Sequence, residues 1–377
     1  MKPYEKSYDV NHSFQSAGYA GQTYYGAPPL KHSHYGWKTA AGFFLQGIGS
    51  SARIMATLGD LLDREENRDL TRAGRAMAFL ASPVGPMLFL AALHTPSRWY
   101  NMLRIFRPTS PMSIGIWTLT KMGIFNTLSA AGALLEHLGF ERLGRGVDRV
   151  FGAFSAAAGG LVSFYMGSEI EETSTPVWIG AFPFLPGLLA ATGFSNGTAA
   201  LSLTTSLNGG RGGSRLRLQR IGALSSLFQI VLAGLMSGKL HDSLGPSATH
   251  RRTMALVWPA VVVPAILRFA GMRFPRSSAS RMEDFATLLG GAVVIGSLVL
   301  SGRRSGNIAQ EYFKLTGTTQ KTFEAAGRNR AIEAPRTAPG QKVNGIAGRT
   351  ALGGGIALIA GMAAYFLIKG RRSSWRR

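Results

Sequence analysis

The segment Thr95–Gly115, TPSRWYNMLRIFRPTSPMSIG, decides how this chain folds. It sets three arginines and three prolines between two apolar runs. Apolar runs of roughly 20 residues are long enough to cross a bilayer, so the segment reads as a polar connector pinned at a membrane surface. Proline fixes its own φ and restricts the residue before it. Pro96, Pro108 and Pro111 therefore give the connector a defined shape, suited to docking rather than tethering.

Composition points the same way. The 377 residues carry a net charge of +22, yet only 16% are charged and 46% are hydrophobic. Nucleic-acid binders gather Lys and Arg on one face or along one helix; here the basic residues fall between apolar runs, which is the pattern of membrane topology, so lipid is the expected surroundings and nucleic acid is not expected as a partner. The chain has no cysteine, which excludes disulfides, a cysteine nucleophile and a thiolate-ligated iron–sulfur cluster within it.

Nine helices are predicted, over 37–62, 75–94, 112–135, 149–170, 178–206, 219–239, 253–272, 284–301 and 351–369, an all-α polytopic membrane bundle. The fifth holds Pro183 and Pro186 and is expected to be kinked or to begin with a broken turn. Glycine pairs such as Gly159-Gly160 and Gly290-Gly291 permit close helix approach in lipid. The organisation is a polar segment 1–36 without an apolar core, an eight-helix core 37–301, a basic polar linker 302–350, and a ninth helix with a basic tail in 351–377. The first helix is thus expected to direct its own insertion. Arginines crowd alternate connectors: Arg64, Arg68, Arg72 and Arg75; Arg142, Arg145 and Arg149; Arg211, Arg215, Arg217 and Arg220; Arg273, Arg276 and Arg281. By the positive-inside rule that side is cytoplasmic along with the C-terminus, and the N-terminus and the Thr95–Gly115 connector face outward.

This topology sets the depth of the polar groups. His34 and Trp37 fall at the outer end of the first helix, and Tyr165 and Glu169 at the outer end of the fourth, so the four could share one pocket. A histidine and a tyrosine at the rim of an apolar cleft suit a quinone, whose carbonyls need donors and whose reduction needs protons; ordinary interfacial aromatics are the plainer alternative. Arg53 and Asp60 lie on one face of the first helix, and Lys121 lies about 13 Å into the third at 1.5 Å per residue. Ionisable groups at such depth are costly and suggest a proton route, or else a structural ion pair and a snorkelling lysine. The seven histidines sit in tails, loops and span ends, which argues against a transmembrane haem, whose axial ligands come from facing helices. Walker loops, HExxH and nucleophile elbows are missing.

At Tyr100-Asn101-Met102-Leu103-Arg104 and Thr109-Ser110-Pro111-Met112-Ser113 the sequence closely resembles the NrfD/polysulfide reductase membrane-subunit family, whose loop reads P-x-R-(F/W)-x-N-M-L-R-(I/V)-F-x-x-T-S-P-M-S-x-G. Tyr165-Met166-Gly167 with Pro176-Val177-Trp178 resembles its Y-T-G and P-x-W segments, and Ser301-Gly302-Arg303-Arg304-Ser305 its A-G-R-x-S. The resemblance implies an eight-helix, haem-free anchor in a bacterial inner membrane that binds menaquinol or ubiquinol. It would exchange electrons with a ferredoxin-like iron–sulfur subunit wired to a molybdopterin or other catalytic subunit, in a polysulfide, thiosulfate or tetrathionate reductase-like complex, and would catalyse nothing without those partners. It implies quinone contacts at His34 or Trp37 and at Tyr165, and partner docking through Arg98, Asn101, Arg104, Arg107, Ser110 and Met112. The acidic residue of its D-L-x-x-P pattern is here Ala92, leaving His94 or another path for protons. A transporter or proton channel lined by Arg53, Asp60 and Lys121, or an anchor whose quinone site has decayed, are the rival expectations.

Overall fold

In the computed structural model of the chain, the described residues are 30, 33–207, 212–272 and 278–316. The predicted ninth helix, most of the linker and most of the polar N-terminal segment lie outside them. Within them are eight long helices: α1 Trp37–Leu62, α2 Arg68–Ala92, α3 Pro111–His137, α4 Glu141–Glu171, α6 Leu185–Leu207, α7 Gly212–Leu244, α8 Ala248–Gly271 and α9 Ser278–Ser305. Two short helices, α5 Pro176–Gly180 and α10 Ala309–Leu315, and a 3₁₀ segment Pro96–Leu103 complete the order. No strand occurs among the described residues. The predicted fifth helix is indeed broken, with residues 181–184 separating α5 from α6.

Helices α1 to α4 pack as one four-helix group and α6 to α9 as a second, joined where α1 and α4 meet α6 and α1 meets α9. The junction between α1 and α6 is backbone on backbone: a Cβ added at Gly47 would stand 3.0 Å from the Cα of Gly193. Ser51 Oγ donates to Gly193 O at 2.9 Å across the same crossing. Small residues at these positions let two helices approach closely, which lipid alone would not drive.

Five helices, α2, α4, α7, α8 and α9, are long and apolar enough to cross a membrane. The central pair α1 and α6 falls short because both are surrounded by protein and rich in Gly, Ser and Thr; α3 is diluted by its Thr, Asn and Lys. Their hydroxyls cost little in lipid, since many bond back to a carbonyl one turn earlier, as Thr118 does to Ile114 and Thr192 to Leu188, both at 2.7 Å. In the second group Arg268 and Glu283, each 1% exposed, pair at 2.9 Å. Arg268 also donates to Ser195 Oγ at 3.0 Å, Ser226 Oγ at 3.4 Å, Thr287 Oγ1 at 3.2 Å and Ser195 O at 3.5 Å, which gives each of the guanidinium's remaining donors an acceptor.

Two of the quoted motifs meet at the C-terminal end of α9. Trp178 is fully buried, its Nε1 donates to Leu298 O at 3.0 Å, and Val177 N donates to Ser305 Oγ at 3.1 Å. The indole lies directly over Gly302, where any Cβ would collide with the ring. Gly302→Ala is therefore expected to lower stability by about 1–3 kcal/mol, the usual cost of overpacking, read as a fall in thermal unfolding temperature in lipid nanodiscs.

Candidate functional site

The Thr95–Gly115 connector folds locally. Ser110 caps α3 by accepting from Ser113 N at 3.4 Å, with Pro111 at the first helical position, where its missing N–H costs nothing. Ser113 Oγ in turn accepts from Arg107 N at 2.9 Å, closing the loop onto the helix. Arg98, Asn101, Arg104 and Arg107 are exposed around Trp99, Tyr100, Ile105 and Phe106, which are exposed as well. The surface is at once basic and apolar.

Beneath it lies a cavity of about 1130 Å³. Its walls are apolar, with Phe79, Pro83, Pro86 and Phe89 from α2 facing Ile116, Leu119 and Ile124 from α3. Its polar end is built from three directions: His34 and Tyr35 ahead of α1, His94 after α2, and Tyr165 and Glu169 near the end of α4. Tyr35 Oη donates to Glu169 Oε1 at 3.0 Å. Tyr165, one helical turn from Glu169, bonds the same carboxyl. One carboxylate thus gathers two phenols. Burial, then the charge of Glu169 and the hydrogen bond to it, hold the Tyr35 hydroxyl above the ordinary tyrosine range, so it stays a proton donor.

Neighbouring motifs hold this arrangement in place. The ring of Tyr165 lies over Gly115, the last residue of the quoted segment, where a Cβ would fall on the ring atoms. Tyr35 meets the Trp178 ring edge-on at 5.6 Å. Lys38 Nζ donates to Ala91 O at 2.9 Å and ties the start of α1 to the end of α2, and His34 and His94 face each other with ring centroids 5.9 Å apart.

Of the residues expected at a quinone pocket, the structure brings His34, Tyr165 and Glu169 together and leaves Trp37 outside, 65% exposed and absent from the lining. Tyr35 takes that place. It precedes the helix, whereas Trp37 is already turned outward by the first helical turn. His94 and Ala92 both line the cavity. Ser110 serves as a helix cap and Met112 lines the cavity wall, which leaves Arg98, Asn101, Arg104 and Arg107 as the outward face of the loop.

The expected proton-route residues separate. Lys121 is exposed on α3 and is not brought to Arg53 and Asp60, which are buried in a network at the basic end. Arg53 lies 4.0 Å from Asp148 and donates to Ser129 Oγ at 2.9 Å. Asp148 also pairs with Arg75, while Asp60 takes Arg149 at 3.0 Å and Arg64 and Arg75 at 3.5 Å. Asp148 is the centre that sequence reasoning missed, because it stands among Arg142, Arg145 and Arg149 and reads as part of a basic connector. Its position within a helix, one turn from the apolar run, was the available signal.

Among curated proteins no match to this chain was found. Residues 30–240 match the family model described as Polysulphide reductase, NrfD, a stretch that includes the cavity, the connector over it and the network below. Since that stretch is more than half of an all-helical chain with membrane-crossing spans, the protein belongs to the NrfD family of polysulphide reductase and is an integral membrane protein.

Proposed function

We propose that this chain is the quinol-reactive anchor of a respiratory oxidoreductase, exchanging electrons with an iron–sulfur subunit docked on the Arg98–Arg107 loop. Family membership supports the role of membrane-anchor subunit. The observation that carries the quinol reading is the apolar cavity that ends in Glu169 with two phenols bonded to it. A quinol ring fits such a lining, and its two hydroxyls need polar partners, which the polar end offers. Because Tyr35 already donates to Glu169, its oxygen is left to accept from a quinol O–H, and the carboxylate behind it can take the proton. On this reading the basic, aromatic loop meets the partner, whose catalytic subunit carries the terminal substrate chemistry. The membrane is a bacterial inner membrane with the N-terminus outward, and the electron carrier is menaquinone or ubiquinone.

The test is binding of a hydroxyquinoline N-oxide, a quinol analogue, to the full chain in lipid nanodiscs. Saturable binding is expected, weakened about tenfold by Tyr165→Phe and by His34→Ala, roughly the contribution of one hydrogen bond. Binding indifferent to both substitutions would sink the reading.

A further inference from the structure

A chain of polar groups leaves the cavity toward the basic end. Ser82, on the cavity wall, accepts from Asn126 Nδ2 at 2.7 Å, and Ser155 Oγ donates to Asn126 Oδ1 at 2.7 Å. One turn further along α3, Ser129 Oγ donates to Asp148 Oδ1 at 2.6 Å and accepts from Arg53. Beyond it buried Asp60 pairs with Arg149, which reaches the surface, its side chain being 47% exposed. Its length suggests a wire; its chemistry does not. Asn126 uses its amide N–H on one side and its carbonyl on the other, so a proton could pass only through an imidic acid tautomer of the amide. Arg53, 3% exposed, keeps its proton at any physiological pH, and with Arg75 it sets fixed positive charge across the route. Buried arginine is how other pores exclude protons.

The cavity mouth has the opposite character. Among the described residues, the titratable side chains around the cavity are His34, Tyr35, His94, Tyr165 and Glu169, and imidazoles are the side chains that most often relay protons. Both are exposed. Lys38, bonded to Ala91 O, fixes the two strands of chain that carry them. Ala92 beside them adds no acceptor.

We infer that protons enter and leave this site at its mouth through the His34–His94 pair, and that the Asn126–Arg53 route to the basic end is closed, so quinol oxidation here moves no proton across the membrane by that route. The inference rests on the quinol reading above. Oxidation of one quinol breaks two O–H bonds, sends two electrons singly to the iron–sulfur partner, and releases two protons. One goes to the imidazoles directly; the other goes to Glu169 through a phenol bonded to it and leaves by the same mouth.

The experiment uses the complex isolated through a tag on this chain, placed in liposomes with a naphthoquinol and an impermeant electron acceptor outside, and pH dyes on both faces. Expected are outside acidification of one proton per electron, no change in the lumen, and no effect of Asn126→Leu on either. The His34→Gln, His94→Gln double variant should lose about a hundredfold in turnover, in line with lost acid–base assistance, regain part of it with added imidazole, and lose the limb of the pH profile near neutrality. Lumen alkalinisation that disappears in Asn126→Leu would overturn the inference while leaving the quinol reading intact. Absence of hydroxyquinoline N-oxide binding to the unaltered complex would overturn that reading and the inference with it. Turnover indifferent to both histidines would overturn the inference alone.

Discussion

Glu283→Ala should destabilise the protein by about 3–5 kcal/mol, the usual cost of leaving one partner of a buried ion pair alone. The reason is Arg268. Its guanidinium is 1% exposed and cannot shed its proton, so removing the carboxylate 2.9 Å away strands a charge at the heart of the second helix group. Ser195, Ser226 and Thr287 would still accept from it but offer no compensating charge. Thermal unfolding in nanodiscs should show the loss directly. The double substitution Glu283→Leu, Arg268→Met should recover most of it, since replacing a whole buried pair with apolar side chains is often neutral or better. If the single and double variants were equally unstable, the pair would matter for its shape rather than its charge.

Gly115→Ala should do the reverse, sparing the fold and disabling the site. The added Cβ would coincide with the Tyr165 ring, at the far end of that side chain. A ring tip can swing away at modest cost, so the unfolding temperature should change little. The swing nevertheless takes the Tyr165 hydroxyl off Glu169, and affinity for the hydroxyquinoline N-oxide should drop by more than tenfold, about 1.4 kcal/mol or greater. Smaller losses on Tyr165→Phe than on Gly115→Ala would fit, because the latter also moves the ring into the cavity. Unchanged affinity in Gly115→Ala would mean that the seat of Tyr165 is irrelevant to binding.

Architecture was legible because lipid imposes a simple rule: backbone polar groups must be satisfied within each span. The first helix matches its predicted bounds, 37–62, to the residue. On the basic side the others begin earlier than predicted, α2 at Arg68 rather than 75, α4 at Glu141 rather than 149 and α9 at Ser278 rather than 284. An apolar window marks where lipid ends, not where the helix does, and these helices run on into the arginine-rich layer. For the site, three of the four residues expected at neighbouring helix ends, His34, Tyr165 and Glu169, do line one cavity. Azimuth was the weaker guide. Trp37 and Lys121 lie on the expected helices but are exposed, while Tyr35 and Asp148 needed the neighbouring helices to reveal their partners. The glycine of the connector motif gains its reason only in three dimensions, as the seat of a tyrosine 50 residues away in sequence.

Several side chains on the cavity wall belong to the outer surface as well: Phe79 is 43% exposed, Ile124 52% and Leu128 37%. In a bilayer such positions meet acyl chains, so a ligand of this cavity arrives sideways from the leaflet. Its effective concentration is then a mole fraction in lipid. An affinity measured here is a property of protein and membrane together, and doubling the lipid at fixed ligand should halve the occupancy of a weakly filled site without any change in the protein.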